Sequence, residues 1–207
     1  TVAVALEVAL AACDAAGRDP ATLSSVFAST HGDLGITDYM CETLAREPRS
    51  LSPIRFHNSV HNAAAGYWTI GAGAMAPATA ISACDASFAQ GLLEALAQLA
   101  TGTGAVLLVA CDGPASGPVA RVSRSQGLLG AALLLVRDPV SGMPRLRMRV
   151  EEEPTAPTLA DGPLSLFLAG NAMAPMLPLF EALALRRTRA MIGAGHDASL
   201  RIDLVHD

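Results

Sequence analysis

The chain lacks lysine altogether and contains few aromatic residues. Its 207 residues include 14 basic side chains, all of them arginine, and only 4% Phe, Trp and Tyr. The net charge is −5, which argues against nucleic acid as a partner, because proteins that bind nucleic acid usually present a basic surface. The apolar half of the sequence is mostly alanine, leucine and valine. We therefore expect a sizeable core built of small side chains.

Patterns that would indicate a metal, a cofactor or a membrane are also missing. Neither GxGxxG nor GxxxxGK[ST] occurs, and GxSxG is absent as well, so no cofactor is expected. The four cysteines show no metal-ligand spacing, and reduced, mostly buried thiols in a cytoplasm are the expectation. No apolar run is long enough to span a membrane. Because the sequence starts inside a helical pattern, we expect a further segment before it.

Strands alternate with helices along the chain. Apolar residues recur at helical spacing over Val2–Ala16 and Ser87–Ala100, and the unbroken apolar stretch 105–111 indicates a strand covered on both faces. This alternation predicts a layered α/β fold. Further strands are predicted over 25–30, 77–82, 127–137, 146–152 and 200–205, with 189–194 as strand or loop, and further helices over 36–46, 63–73 and 173–186.

The stretch 76–91, APATAISACDASFAQG, predicts a strand, a tight turn and the start of a helix. Unpaired backbone N–H groups at a helix N-terminus favour negative charge. Cys84 could therefore become a reactive thiolate there, whereas Asp85 is first of all a good helix cap. Whichever residue occupies the tip of this turn decides whether the chain is an enzyme.

Two histidines are the candidate bases for such a cysteine. His57 and His61 belong to a polar segment, 57–62, in apolar surroundings. No acidic partner lies at a recognisable spacing, so a hydrogen-bonded loop packed under the turn is favoured over a catalytic role. The His-Gly-Asp of 31–33 is interpreted as a turn.

Charged clusters elsewhere are interpreted as surface. The three glutamates of 151–153 indicate a solvated acidic face. Arg186, Arg187 and Arg189 lie at a predicted helix end, where cations complement the helix dipole. These arginines could also receive an acidic partner.

The middle of the chain contains, in order, Ser52-Pro53, Phe56, Asn62, Ala65-Gly66, Ile70, Pro77 and Ser82-Ala83-Cys84 before a helix. This order of residues resembles the β-ketoacyl synthases, which have the thiolase fold. In that family a strand–turn–helix presents the nucleophilic cysteine, and 106–112 resembles the strand that follows it. The resemblance implies a thiolase-like layered α-β-α fold, with its first half retained in residues 1–138 and its second half reduced to a remnant in 139–207.

The register of the turn separates this chain from active members of that family. The family's proline lies eight positions before the nucleophile, and the eighth position after Pro77 is Asp85, with Cys84 one short. The distance back from Gly102, where the predicted helix ends, also places Asp85 at the nucleophile position. A carboxylate cannot replace the thiolate in thioester exchange. The two segments that carry the family's catalytic histidines do not appear in this sequence. His196 lies in the terminal turn and not at either of those positions. The resemblance thus implies a ketosynthase-like pseudoenzyme.

Such chains resemble the chain-length-factor subunits of type II polyketide and aryl polyene systems. The resemblance implies a cytoplasmic heterodimer with a catalytic β-ketoacyl synthase, paired through the strand after the nucleophile helix. Alternatives stay open: a homodimer, a docking module for an acyl carrier protein at Arg186–Arg189, or an active acyl-transfer enzyme using Cys84 with His57 or His61 as base.

Overall fold

The first of two β-sheets has four strands in the spatial order β2-β1-β3-β4. The computed structural model describes residues 1–152 and 155–206. Strand β1 runs parallel to β2 and β3, whereas β4 pairs antiparallel with β3. The strands are β1 Ser24–Ala28, β2 Ala78–Ile81, β3 Ala105–Asp112 and β4 Leu129–Val136.

Helices cover both faces of this sheet. Val26 and Leu108 pack on one face against α5, while Phe27 and Leu107 pack on the other against α1 and α4. Gly91 allows α5 to lie close, since an added Cβ would be 3.0 Å from the Cβ of Ala28. The helices are α1 Val2–Ala16, α2 Leu34–Arg46, α3 Pro53–Ser59, α4 Ala63–Ala72, α5 Ser87–Ala100, α6 Pro163–Leu168 and α7 Leu177–Ala184.

The second sheet has three antiparallel strands in the order β5-β7-β6. Its inner face carries Leu200, Ile202 and Leu204 into the same core as α5 and α7. Predicted strand 146–152 is confirmed as an edge strand. The three strands are β5 Arg145–Glu151, β6 Arg189–Gly195 and β7 Ala198–Val205.

Most predicted elements are confirmed, and the differences concern short helices. Helix α3 forms where no periodicity was visible, and α6 was not predicted. The predicted helix 173–186 is wrong in extent: Pro175 and Pro178 lack the N–H that a continuous helix needs. The chain instead forms a 3₁₀ turn over Ala174–Met176, followed by α7.

The order of the first sheet corrects one expectation about assembly. The strand after the turn helix is β3, which hydrogen-bonds to β1 on one side and β4 on the other. It therefore has no free edge with which to pair another subunit. The strand before the turn, β2, pairs only with β1 within the described part of the chain. In residues 1–152 and 155–206, no helix has the length and apolarity to cross a membrane.

Candidate functional site at the turn of Cys84 and Asp85

The turn between β2 and α5 has a left-handed backbone at Cys84, with φ of 50°. A non-glycine residue adopts this conformation at a cost, and such residues concentrate at functional turns. The hydroxyl of Ser87, a buried residue, accepts a hydrogen bond from the Ala83 N–H at 2.9 Å and donates to the Cys84 carbonyl at 2.7 Å. Ser87 therefore closes the turn.

Asp85 does not cap helix α5, contrary to expectation. The N-cap residue is Ala86, and no side chain caps this helix. The carboxylate of Asp85 is exposed.

Asp85 faces an open cleft of about 510 Å³. Arg124, Ser165 and Asn171 line the same cleft, together with small and apolar residues of 169–178. Cys84 is exposed and is not among the residues that line the cleft. Of the four thiols, which were expected to be mostly buried, Cys41 and Cys84 are exposed.

Asn171 holds the inner wall of the cleft in place. Its Nδ2 lies 3.1 Å from the carbonyl oxygen of Gln126 and 3.2 Å from those of Asp112 and Gly127. Its Oδ1 accepts the Met173 N–H at 2.9 Å. This buried amide joins the end of β3 to the segment before α7 and fixes the cleft's shape.

The opposite wall depends on the carboxylate of Glu181 in α7. Its Oε1 accepts the hydroxyl of Ser165 and the backbone N–H of Gly162 at 2.8 Å. The bond from Ser165 is the main reason why the pKa of Glu181 lies below its usual value. On the rim, Arg124 is exposed and has no hydrogen bond or ion pair with any described residue.

A buried carboxylate braces the turn from beneath. Asp112, fully buried at the end of β3, accepts the Ser29 hydroxyl at 2.7 Å and the backbone N–H groups of Thr30 and His31 at 2.8 and 3.1 Å. Thr30 in turn accepts the Ser82 hydroxyl through its carbonyl at 3.0 Å. The turn thus rests on a loop that Asp112 organises.

The neighbouring Cys111 is chemically inert at neutral pH. Burial, and secondarily the charge of Asp112, raises the pKa of its thiol to about 12. A thiol must be deprotonated to act as a nucleophile. Cys111 is therefore a structural residue.

The two candidate bases, for which a catalytic role was not favoured, make other contacts. The Nε2 of His61 lies 2.7 Å from the Ser29 carbonyl oxygen, and His57 packs edge-on against Tyr67 with 5.7 Å between ring centroids. Neither makes a described hydrogen bond to Cys84. None of the chain's five histidines lines the Asp85 cleft.

The other predicted clusters are mostly structural. Asp33 of the His-Gly-Asp segment accepts the Ile36 N–H at 3.1 Å and caps α2. Arg187 lies 3.8 Å from Asp161, so the predicted arginine cluster at the end of α7 is partly neutralised. Of the three glutamates in 151–153, Glu153 lies outside the described residues. No metal-binding group of His, Cys, Asp or Glu occurs within 1–152 and 155–206.

Three residues that line the cleft were not predicted from the sequence: Arg124, Ser165 and Asn171. They come from segments after the recognised strand–turn–helix, and no spacing links them to Asp85. The one available signal was Asn171, a lone amide in the apolar stretch LAGNAMAP.

Two solved structures share this architecture. One is described as the ketosynthase ApeO in complex with its chain length factor ApeC from Xenorhabdus doucetiae. It matches with a TM-score of 0.76 at 22% identity, over 98% of this chain and 76% of that one. The other, the ishigamide ketosynthase/chain length factor, gives 0.57 at 19% identity, over 72% of this chain and 48% of that one. The expected thiolase-like α/β fold is thereby confirmed.

Sequence comparison supplies the family. No curated protein matches the chain. The model of the β-ketoacyl synthase N-terminal domain, however, matches residues 3–189, which include the whole first sheet and strand β5 of the second. The chain belongs to the family of β-ketoacyl synthase N-terminal domains.

Proposed function

We propose that this chain is a non-catalytic ketosynthase-like subunit of the chain-length-factor type, which pairs with an active β-ketoacyl synthase in polyketide or aryl polyene biosynthesis. The observation that carries the proposal is Asp85 in the cleft, where an active member would present a thiolate. A carboxylate does not exchange thioesters as a thiolate does. No histidine lines the cleft to serve as a base.

The open edge of β2 supports pairing with another subunit. Its residues are uncharged, and an unprotected edge strand can extend a sheet across an interface. Two large apolar side chains precede it along the chain and are strongly exposed, Ile70 at 78% and Met75 at 95%. Exposed apolar surface of this kind is typical of a protein–protein interface.

A division of labour within the chain follows. Residues 1–138, which contain the first sheet and the turn, would hold the partner. Residues 139–207 would be a reduced second half that completes the wall of the cleft through α6 and α7. In the assembly, such a subunit would shape the partner's acyl tunnel rather than form a bond itself.

Co-expression with a complete ketosynthase encoded beside this chain tests the proposal. On size-exclusion chromatography the two chains should co-elute as a heterodimer. Met75→Asp should abolish co-elution, because it places a charge in the apolar contact. Met143→Asp is the matched control, since Met143 is also exposed, at 58%, and lies in the loop after β4. If the wild-type chains never co-elute, the proposal is wrong.

The exposed thiol of Cys84 favours one competing function, acyl transfer by this chain itself. A thiol-reactive acyl analogue followed by mass spectrometry compares Cys84 with Cys41, the other exposed cysteine. A pseudoenzyme should label both at similar rates. Labelling of Cys84 about 100-fold faster, as expected of an activated thiolate, would establish the competing function.

A further inference from the structure

Arginines are concentrated on the outward face of the second sheet. In its antiparallel register, residues directly opposite one another share a face, and Asp203 of β7 stands between Arg147 of β5 and Arg189 of β6. The chain as a whole is acidic, with a net charge of −5, so this face has the opposite sign to the rest. Its charged side chains are five arginines and two carboxylates: Arg145, Arg147, Arg149, Arg189, Arg201, Glu151 and Asp203.

Only part of this positive charge is neutralised within the sheet. Asp203 pairs with Arg189 at 2.9 Å and with Arg201 at 3.2 Å. Arg147 and Arg149 are exposed and have no hydrogen bond or ion pair with any described residue. Two guanidinium groups on one edge strand therefore point outward without a partner.

Both carboxylates of this face are already engaged by other arginines. Arg149 stands directly opposite Arg201, whose guanidinium pairs with Asp203 at 3.2 Å and with Glu151 at 3.8 Å. Neither carboxylate is left for Arg149, which is exposed. A carboxylate-bearing partner would supply the missing counter-charge.

We infer that the outward face of β5, β7 and β6 is a docking surface for a small acidic protein of the acyl-carrier kind. The choice of an acyl carrier as the partner rests on the proposed function. The positive charge of the face is independent of that proposal. Asp203 holds two of the arginines in fixed positions, while Arg147 and Arg149 accept carboxylates from the carrier.

The other polyanions fit this face less well. Single-stranded nucleic acids stack on aromatic side chains, and the outward positions of the three strands contain no Phe, Trp or Tyr. An extended polyphosphate or an anionic bilayer would also meet Asp203, Glu151 and the acidic remainder of the molecule. A small protein, by contrast, covers only the arginine-bearing face. Charges at physiological salt act over ~8 Å, so the acidic remainder of the molecule repels it little.

The dimensions of the face point to a weak, transient complex. Seven residues of strand span about 23 Å, and three strands about 10 Å. Such an area falls at the low end of protein–protein interfaces. Binding should therefore be fast, salt-sensitive and easily reversed, as a carrier that delivers its cargo and leaves would require.

Titration with purified acyl carrier protein, followed by NMR or thermophoresis, tests the inference on the full chain. Arg147→Glu/Arg149→Glu should weaken carrier binding at least about tenfold by charge reversal. The control is Arg18→Glu/Arg49→Glu, which makes the same change in net charge at two exposed loop arginines away from this sheet. The control should bind within about twofold of wild type, because screening removes distant charges.

Each outcome decides the matter. Equal weakening in both variants would show a global charge effect and overturn the inference, as would tighter binding of a 20-base oligonucleotide or of phosphatidylserine vesicles than of the carrier. The sheet variant should still co-elute with the ketosynthase. Co-elution without carrier binding would refute the docking face alone. Carrier binding without co-elution would refute the heterodimer alone.

Discussion

The two sheets of this protein differ in how many of their faces are buried. Strand β3 of the first sheet is buried along nearly its whole length, with Leu107 and Leu108 packed into cores on opposite faces. Strand β7 of the second sheet alternates, with Ile202 inside and Arg201 outside. Continuous apolar strands belong to sheets covered on both faces, and alternating strands to sheets with one solvated face. The first sheet therefore has only its edge strands, β2 and β4, for contacts with a partner. The second offers most of a face, which is covered at one end where Thr155 bonds to Ser199.

The largest expected effect is a direct test of this difference. Leu108→Ala removes a side chain that is 1% exposed and should lower the free energy of unfolding by about 3 kcal/mol, because a cavity remains in a core closed on both sides. Arg147→Ala on β5 should change it by less than about 0.5 kcal/mol. Urea denaturation measures both. Similar losses in the two variants would refute the contrast between the sheets.

A second prediction concerns the polar end of the first sheet. Asp112→Asn should lower the free energy of unfolding by about 2–3 kcal/mol, because the amide leaves at least one of the donors from Ser29, Thr30 and His31 without an acceptor. Asp138→Asn is the control, with a side chain that is 88% exposed, and should be neutral. If Asp112→Asn is neutral as well, the carboxylate does not brace the turn.

The third prediction uses alkaline pH to sharpen the same comparison. The pKa of Cys111 is about 12 in the folded protein and about 9 when unfolded, so the stability that it contributes is full below pH 9 and is lost as pH rises toward 12. Between pH 9 and 11, the free energy of unfolding of wild type should fall by about 2 kcal/mol more than that of Cys111→Ala.

The exposed Cys41 provides the control for that measurement. Cys41→Ala should follow the wild-type pH dependence, since its thiol is exposed. Urea denaturation gives the free energy of unfolding at each pH. If this free energy falls equally with pH in wild type and in Cys111→Ala, the first sheet does not exclude water from the Cys111 thiol.

The smallest effect is expected in the layer that covers the second sheet. Ser165→Ala should raise the pKa of Glu181, which the Ser165 hydroxyl holds below its usual value, and cost at most about 1 kcal/mol at pH 7. Because the folded pKa is lowered, this contribution is present above pH ~4.5 and lost as pH falls through the folded value. Ser141→Ala, at an exposed loop position, should show no such pH dependence in urea unfolding.

Sequence alone predicted the elements whose patterns are long and regular. Helices α1 and α5 have the predicted bounds because their apolar spacing extends over about four turns. Helix α3 was missed because none of its seven residues is buried, so no apolar stripe marks it. Helix α6 has only six residues and begins at Pro163; such a length gives no period to detect.

The candidate site was predictable only where it is local. The turn around Asp85 follows from the order of residues between Pro77 and Ser87. The left-handed φ at Cys84, however, depends on hydrogen bonds from Thr30 and Ser87, and the former is contributed by a distant loop. The cleft walls at Ser165 and Asn171 arise from tertiary packing, about 80 residues further along the chain.

The uncovered edge of β2 has a consequence for the life of the protein in a cell. If the proposed heterodimer forms, a chain made without its partner would display unpaired strand hydrogen-bonding groups beside Met75 and Ile70, and such edges recruit other chains or quality-control proteases. Its abundance would then follow the supply of its partner. Matched synthesis of the two subunits would be a requirement set by four residues, Ala78 to Ile81, rather than by any catalytic step.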